Sequence, residues 1–118
     1  MDNRTEASEQ IVVIEWCDLM SIPAVHIPNE GKRSVVYGAQ LKRMGMRKGF
    51  PDIFIPVARA GYHGLFVEMK WGKNKTTTDQ EEWLRTLSDQ GYACTVVYSA
   101  DAAIRQIKRY LKSTKTGG

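Results

Sequence analysis

Two β-prone runs in the middle of the chain, residues 52–57 and 64–70, constrain the fold more than any other feature of the sequence. Both runs are rich in Ile, Phe and Val, which favour extended backbone. The segment 58–63 between them contains Gly61 and is short enough for a hairpin loop. The pattern therefore predicts two neighbouring strands joined as a hairpin.

Helical patterns on both sides of this hairpin predict what packs on the sheet. Residues 5–20 change polarity with helical spacing, which predicts a first helix. After the hairpin, Thr78 and Glu81 have capping-box spacing, and the helix that they start is expected to end at Gly91. A last helix, basic on its outer side, is expected to begin with Asp101 as its N-cap.

Four shorter segments complete the prediction. Residues 24–27 and 93–98 are apolar enough for strands, and the latter suits the buried centre of a sheet. Residues 34–37 are expected to be extended, and residues 39–46 to form a short helix. The order of helix, strands, helix, strand and helix predicts an α/β fold with a mixed sheet.

The size and composition of the chain agree with this prediction. Its 118 residues, 42% hydrophobic and 25% charged, suit one globular domain over residues 1–118, with a flexible tail at 113–118. The longest apolar run spans only residues 11–14, far short of the about 20 residues of a membrane span. We therefore expect no membrane partner.

Acidic residues near the start of the sequence and two cysteines indicate the cellular compartment of the protein. Asp2, Glu6 and Glu9 stand where a secretory leader would need positive charge. Cys17 and Cys94 lie in apolar stretches and are expected to be buried thiols in a reducing compartment. These features predict a soluble cytoplasmic protein.

The net charge of +4 is unevenly distributed along the chain. Residues 1–28 carry −4, residues 29–50 carry +5, residues 51–101 carry −2 and residues 102–118 carry +5. Basic blocks that alternate with acidic ones indicate a surface for a polyanion beside a site that needs carboxylates. The alternative is that some basic side chains of residues 29–50 only form the solvent-exposed face of a helix. Those side chains are Lys42, Arg43, Arg47 and Lys48.

Charged residues inside the second β-prone run are the strongest indication of chemistry. Alternation places Glu68 and Lys70 on one face of that strand, and a hairpin brings Asp52 close to Glu68. Two carboxylates, with the Met69 carbonyl as a further ligand, form the oxygen set that Mg²⁺ prefers. Lys70 is then placed to orient a water or to neutralise a phosphate. The alternative is a cross-strand salt bridge of Asp52 or Glu68 with Lys70 at the sheet end.

An ordered set of residues resembles a known nuclease family. Pro51-Asp52, fifteen residues and then Glu68-Met69-Lys70 resemble the PD-(D/E)xK nuclease superfamily. Further residues narrow the resemblance to the VRR-NUC (virus-type replication-repair nuclease) family, over residues 9–98. They are Pro28-Asn29-Glu30-Gly31, Arg33, the turn Gly49-Phe50-Pro51-Asp52-Ile53, Gln80 and Trp83.

The resemblance adds two residues to the expected catalytic set. Family members carry a site glutamate on the first helix, which Glu9 matches best, with Glu6 and Glu15 left open. They also carry a glutamine on the helix after the Glu-x-Lys strand, which corresponds to Gln80. The expected catalytic residues are thus Glu9, Asp52, Glu68, Lys70 and Gln80, and the expected metal ligands are Glu9, Asp52, Glu68 and Met69.

Eight polar and basic residues are the candidates for contacts with the DNA backbone. They are Asn29, Lys32, Arg33, Lys42, Arg43, Arg47, Lys48 and Lys73. For Asn29, Lys32 and Arg33, the alternative is that they are ordinary solvent-exposed loop residues.

The resemblance also implies a fold and an activity. The fold would be restriction-endonuclease-like, with a core of the αβββαβ type. The activity would be Mg²⁺- or Mn²⁺-dependent cleavage of branched DNA by a homodimer similar to Holliday-junction resolvases, without an organic cofactor. A phage-encoded member would act in the cytoplasm of a bacterial host. Two alternatives remain: a flap nuclease or exonuclease that depends on partner proteins, and a catalytically inactive DNA-binding module.

Overall fold

The computed structural model describes residues 4–28 and 35–114, and in these ranges the chain forms four helices and a four-stranded sheet. The strands lie in the order β1-β2-β3-β4, with antiparallel β1–β2 and β2–β3 pairs and a parallel β3–β4 pair. The predicted α/β fold with a mixed sheet is confirmed. The elements are α1 (Glu6–Leu19), β1 (Val25–His26), α2 (Val35–Arg43), β2 (Ile53–Ile55), β3 (Leu65–Met69), α3 (Thr78–Asp89), β4 (Ala93–Val97) and α4 (Ala100–Lys112).

The predicted hairpin is formed by β2 and β3. Ile53 pairs with Val67, and Phe54 pairs with Phe66. Because side chains alternate along a strand, Ile53 and Val67 point to one face of the sheet while Phe54 and Phe66 point to the other. This register sets which side chains of the site lie together.

The two faces of the sheet bury different sets of side chains. Helices α1 and α4 pack together, and α4 covers β3 and β4 on the aliphatic face. On the opposite face, Phe54 stacks on Phe66 with ring centroids 4.5 Å apart, and Phe50 contacts both Phe66 and Trp83 of α3. The result is three layers, α1 and α4, the sheet, and α3. The fully buried members of the aliphatic core are Val13, Cys17, Ile53, Ile55, Val67, Ala103 and Ile107.

The prediction for residues 34–37 was wrong where the structure describes it. Val35, Val36 and Tyr37 belong to α2 rather than to an extended segment, and the expected helix over 39–46 ends earlier, at Arg43. The preference of Val and Tyr for strands reflects packing on a half-buried sheet surface. Val36 is 80% exposed and Tyr37 is 51% exposed, so neither side chain is packed on a half-buried sheet surface of this kind.

Strand β4 was expected at the centre of the sheet, but it lies at the edge of the described sheet. Its apolar character has another cause, because α3 and α4 both contact it and cover its two faces. The N-caps of the last two helices were also misassigned. The cap of α3 is Thr77, whose partner in the capping box is Gln80, and the cap of α4 is Ser99.

The two cysteines are free thiols. Cys17 is fully buried, and this burial, with the adjacent Asp18 carboxylate, raises the pKa of its thiol to about 11. Cys94 is only half-buried, so the expectation of burial holds fully for Cys17 alone; burial also raises the pKa of the Cys94 thiol. Both thiols therefore stay protonated at neutral pH, which makes them poor nucleophiles.

The end of the described chain is attached to the domain. Ser113 caps α4, and the Thr114 carbonyl accepts a hydrogen bond from the Ala60 N–H group. The other residues of the expected tail, 115–118, lie outside the described residues. None of the helices in the described ranges is both long and apolar enough to cross a membrane.

Candidate active site

Asp52 is held at the start of β2 by contacts on both sides of the strand. Its Oδ2 atom accepts a hydrogen bond of 2.8 Å from the Met69 N–H group. Its carbonyl oxygen accepts one of 2.8 Å from the Ile27 N–H group and lies 2.9 Å from His26 Nδ1. The carboxylate is therefore fixed against β3, beside Glu68, as the sequence predicts.

Glu68 places a second carboxylate on the same face of the sheet. The pairing of Ile53 with Val67 puts Asp52 across from Glu68 at the next position of the ladder. Glu68 is only 2% exposed. A carboxylate removed from water is costly unless hydrogen bonds, cations or metal ions compensate its charge. The pair is therefore a suitable place for a divalent cation.

Lys70 and Gln80 form a contact that the sequence does not reveal. Lys70 Nζ donates a hydrogen bond of 3.0 Å to Gln80 Oε1, which also accepts one of 2.8 Å from the Thr77 N–H group. Gln80 is 4% exposed, although its place in the first turn of α3 would also suit a solvated polar residue. The same side chain thus completes the capping box of α3 and orients the ammonium group of Lys70.

The turn before Asp52 brings α3 close to the carboxylates. Gly49 has a φ of +86°, and a Cβ atom there would lie 2.7 Å from the Asp79 carbonyl carbon and 2.8 Å from Gln80 N. Only glycine allows both the left-handed backbone and this close approach. Gly49 therefore sets the distance between the Asp52 turn and the Gln80 end of α3.

We expect Gly49→Ala to lower both stability and activity. The new methyl group would push α3 away from the turn and displace Gln80, in addition to straining the backbone by about 1–3 kcal/mol. Gly45→Ala is the matched control, because Gly45 also has a positive φ, of 110°, but has open space around it. Thermal unfolding and DNA cleavage measure both effects. Equal losses in the two variants would show that the close approach does not matter.

Glu9 is the buried member of the three acidic candidates on α1. It is 8% exposed, whereas Glu6 and Glu15 are exposed. Glu9 Oε1 accepts a hydrogen bond of 3.3 Å from the Ala100 N–H group at the start of α4, where a negative charge is favourable. Within the described residues, no three His, Cys, Asp or Glu side chains lie close enough together to hold one metal ion. The role of Glu9 as a ligand stays a prediction.

The predicted DNA-contacting residues divide into two groups. Asn29, Lys32 and Arg33 lie outside the described residues. The other five are exposed, namely Lys42, Arg43, Arg47, Lys48 and Lys73. Arg47 Nη1 donates a hydrogen bond of 3.0 Å to the Lys42 carbonyl oxygen, and Lys48 Nζ lies 3.9 Å from Asp79 Oδ2. Lys48 is adjacent to the Gly49 turn and thus to the site.

Comparisons with known proteins identify the family of the chain. The family model of the VRR-NUC domain matches residues 4–101. A solved structure described as a VRR_NUC domain protein has a TM-score of 0.82 and 31% sequence identity, and the match covers 98% of this chain and 94% of that chain. Among curated proteins, no match was found.

The fold and the family match define a nuclease domain of the PD-(D/E)xK type. Within that class, the chain belongs to the VRR-NUC family. A nuclease domain of this kind implies DNA as the substrate.

Proposed function

We propose that this chain is a divalent-metal-dependent endonuclease that hydrolyses phosphodiester bonds in branched DNA. The observation that carries the proposal is the grouping of Asp52, Glu68 and Lys70 on the sheet face that α3 covers, with Lys70 bonded to Gln80. Family membership supports the chemistry. The resemblance to Holliday-junction resolvases, which the sequence motifs imply, supports the choice of substrate.

The donor set fits Mg²⁺ or Mn²⁺. Mg²⁺ is usually bound through one or two carboxylates together with substrate phosphates, rather than by a complete cage of protein ligands. Asp52 and Glu68 would supply the carboxylates, and the Met69 carbonyl and Glu9 are the further candidates. Such a cation supplies neutralisation of negative charge on the phosphate and a lower pKa for a bound water.

The side chains around the carboxylates then have separate tasks. Gln80 Oε1 holds the Lys70 ammonium group, so that its charge faces the position of the scissile phosphate or of the attacking water. The Gln80 amide group is also a donor and can bind a phosphate oxygen. The hydrogen bond from Met69 to Asp52 keeps one carboxylate fixed while the substrate binds. Each group is positioned before the reaction, which lowers the cost of reorganisation.

The small size of the domain and the symmetry of a four-way junction support branched DNA as the substrate of a homodimer. A single small domain has little surface with which to read bases, and the basic blocks of this one favour contacts with phosphates. One site of this kind cuts one strand, so paired cuts in a junction need two copies of the chain. A two-fold symmetric dimer matches the symmetry of a four-way junction. We therefore propose a homodimer.

One assay tests this function. The chain is incubated with Mn²⁺ and equal amounts of labelled four-way junction, flap, hairpin and linear duplex, while light scattering measures its mass. We expect a dimer that cuts the junction fastest. Preferred cleavage of flaps or free ends would instead support a nuclease that depends on partner proteins. Tight junction binding without cleavage would support an inactive DNA-binding module.

A further inference from the structure

A second cationic surface lies on α4, in the layer that packs on the other face of the sheet from α3. The exposed side chains of Arg105, Lys108, Arg109 and Lys112 recur with helical spacing and line an open surface depression of about 440 Å³. We call these four residues the α4 stripe. Within the described ranges, no carboxylate oxygen lies within 4.0 Å of their charged groups.

Stabilisation of the helix dipole explains only two of the four cations of the α4 stripe. Arg109 and Lys112 are in the last turn, where cations stabilise the helix dipole. Arg105 and Lys108 precede that turn, and the contact of Lys108 is an aromatic one, with Nζ 5.8 Å from the centroid of the Trp16 ring. Four positive charges held together on one face repel one another, which is unfavourable unless an anionic partner binds there.

The apolar side of α4 indicates the class of partner. A helix that binds in a membrane interface inserts its apolar face into the lipid. In α4 that face, with Ala103, Ile107 and Tyr110, is buried in the core. Only the charged face is available to a partner, which favours the regular phosphates of a nucleic acid.

The position of the α4 stripe relative to the carboxylates indicates which part of the DNA it would meet. The first turn of α4 lies near the site edge of the sheet, because Ala100 contacts Glu9 and Met69 pairs with Val97. The stripe begins five residues and ends twelve residues after Ala100, about 8–18 Å along the helix axis. With one phosphate per 3.4 Å of a strand, the distance from Ala100 to the stripe corresponds to roughly two to five nucleotides.

We propose that the α4 stripe binds the phosphate backbone of a DNA segment that flanks the cleavage site, separate from the scissile phosphate. The inference rests on the proposed action on DNA, and it adds a second contact surface beyond the eight residues predicted from the sequence. Because α3 and α4 lie on opposite faces of the sheet, a strand that meets both surfaces must pass around the sheet edge. A duplex arm at a branch provides such a path more easily than a straight duplex.

The test measures binding to a labelled four-way junction by fluorescence anisotropy in EDTA, where metal-dependent cleavage does not occur. The stripe variant is Lys108→Gln/Lys112→Gln. Its charge-matched control is Lys75→Gln/Arg85→Gln, which removes two exposed cations outside the stripe. Lys108→Arg/Lys112→Arg tests whether positive charge alone is needed at the stripe. Circular dichroism verifies that each variant is folded.

We expect the stripe variant to bind more weakly and with a smaller salt dependence. Loss of two phosphate contacts makes the negative slope of log K against log salt less steep by about 1.8. The affinity difference between the wild type and the stripe variant should therefore shrink roughly tenfold between 50 and 200 mM salt. The control and the arginine variant should keep the wild-type slope. Unchanged binding by the stripe variant, or an equal loss in the control, would overturn the inference. Binding to phosphatidylserine vesicles that depends on the stripe, with DNA binding unchanged, would also overturn it.

The two proposals fail in different ways. If the wild-type chain binds the junction through the stripe but never cleaves it with Mn²⁺, the proposed function fails and the stripe remains a DNA-binding surface. If it cleaves junctions while the stripe variant binds as the wild type does, only the inference about the stripe fails.

Discussion

Replacement of Lys70 by Ala is expected to lower the rate of DNA cleavage by about 10²–10⁴-fold while leaving the chain folded. The variant removes the positive charge beside Glu68 and the hydrogen bond that Lys70 Nζ donates to Gln80 Oε1. Gln80 keeps its bond to the Thr77 N–H group, so α3 should still begin at the same residue. The stability loss should stay within about 3 kcal/mol, the upper end of the range for one hydrogen bond that involves a charged group.

The control for this prediction is Lys75→Ala, which removes an exposed lysine five residues further along the chain. We expect its cleavage rate to stay close to that of the wild type, because Lys75 is exposed and takes no part in the contacts among Asp52, Lys70 and Gln80. Rates are measured at saturating DNA and Mn²⁺, so that a loss of affinity is separated from a loss of chemistry. Full activity of Lys70→Ala would contradict the proposed role of the lysine.

Replacement of Glu68 by Gln is expected to remove both metal binding and cleavage. The amide keeps the shape of the side chain, but it replaces a charged metal ligand with a neutral one in a buried position. A metal that binds only the folded chain stabilises it by about 2.7 kcal/mol at 100 times its Kd. Mn²⁺ should therefore raise the melting temperature of the wild type but not that of Glu68→Gln.

Glu82→Gln is the matched control, since it makes the same chemical change at an exposed position on α3. It should keep the shift in melting temperature with Mn²⁺ and the wild-type rate of cleavage. A Glu68→Gln chain that still shows the full thermal shift would place the metal elsewhere. The thermal readout does not require turnover, so it remains informative even for a DNA substrate that is cut slowly.

The sequence predicted the central hairpin and the carboxylate pair because both depend on local rules. Alternation along β3 determines that Glu68 and Lys70 share a face, and the short loop determines that Asp52 lies on the neighbouring strand. The contact between Lys70 and Gln80 depends instead on how closely α3 approaches the Gly49 turn. No spacing in the sequence encodes that distance.

The distribution of apolar residues on α1 explains why periodicity could not decide between Glu9, the best match, and the alternatives Glu6 and Glu15. Apolar residues occur around much of the helix, so that Ile11 and Val12 are exposed while Val13 and Cys17 are buried. Hydrophobic periodicity therefore gives no clear buried side. Burial in the structure singles out Glu9, which also contacts the first turn of α4. The contact across 91 positions of the chain arises only when the two helices pack.

The errors at α2 and β4 have a shared physical origin. Strand propensity and apolar character describe the surroundings that a residue fits, and those surroundings are set by tertiary packing. Val36 and Tyr37 are exposed and helical. Strand β4 is apolar because helices cover it on both faces, although it lies at the sheet edge.

We propose above all that the Asp52 and Glu68 carboxylates support metal-dependent hydrolysis of DNA. The most direct measurement incubates the wild-type chain with one labelled four-way junction in Mg²⁺, in Mn²⁺ and in EDTA, and analyses the products on a denaturing gel. We expect cut strands of defined length with either metal and intact strands in EDTA. Equal cleavage in EDTA, or intact junctions in all three conditions despite tight binding, would contradict it.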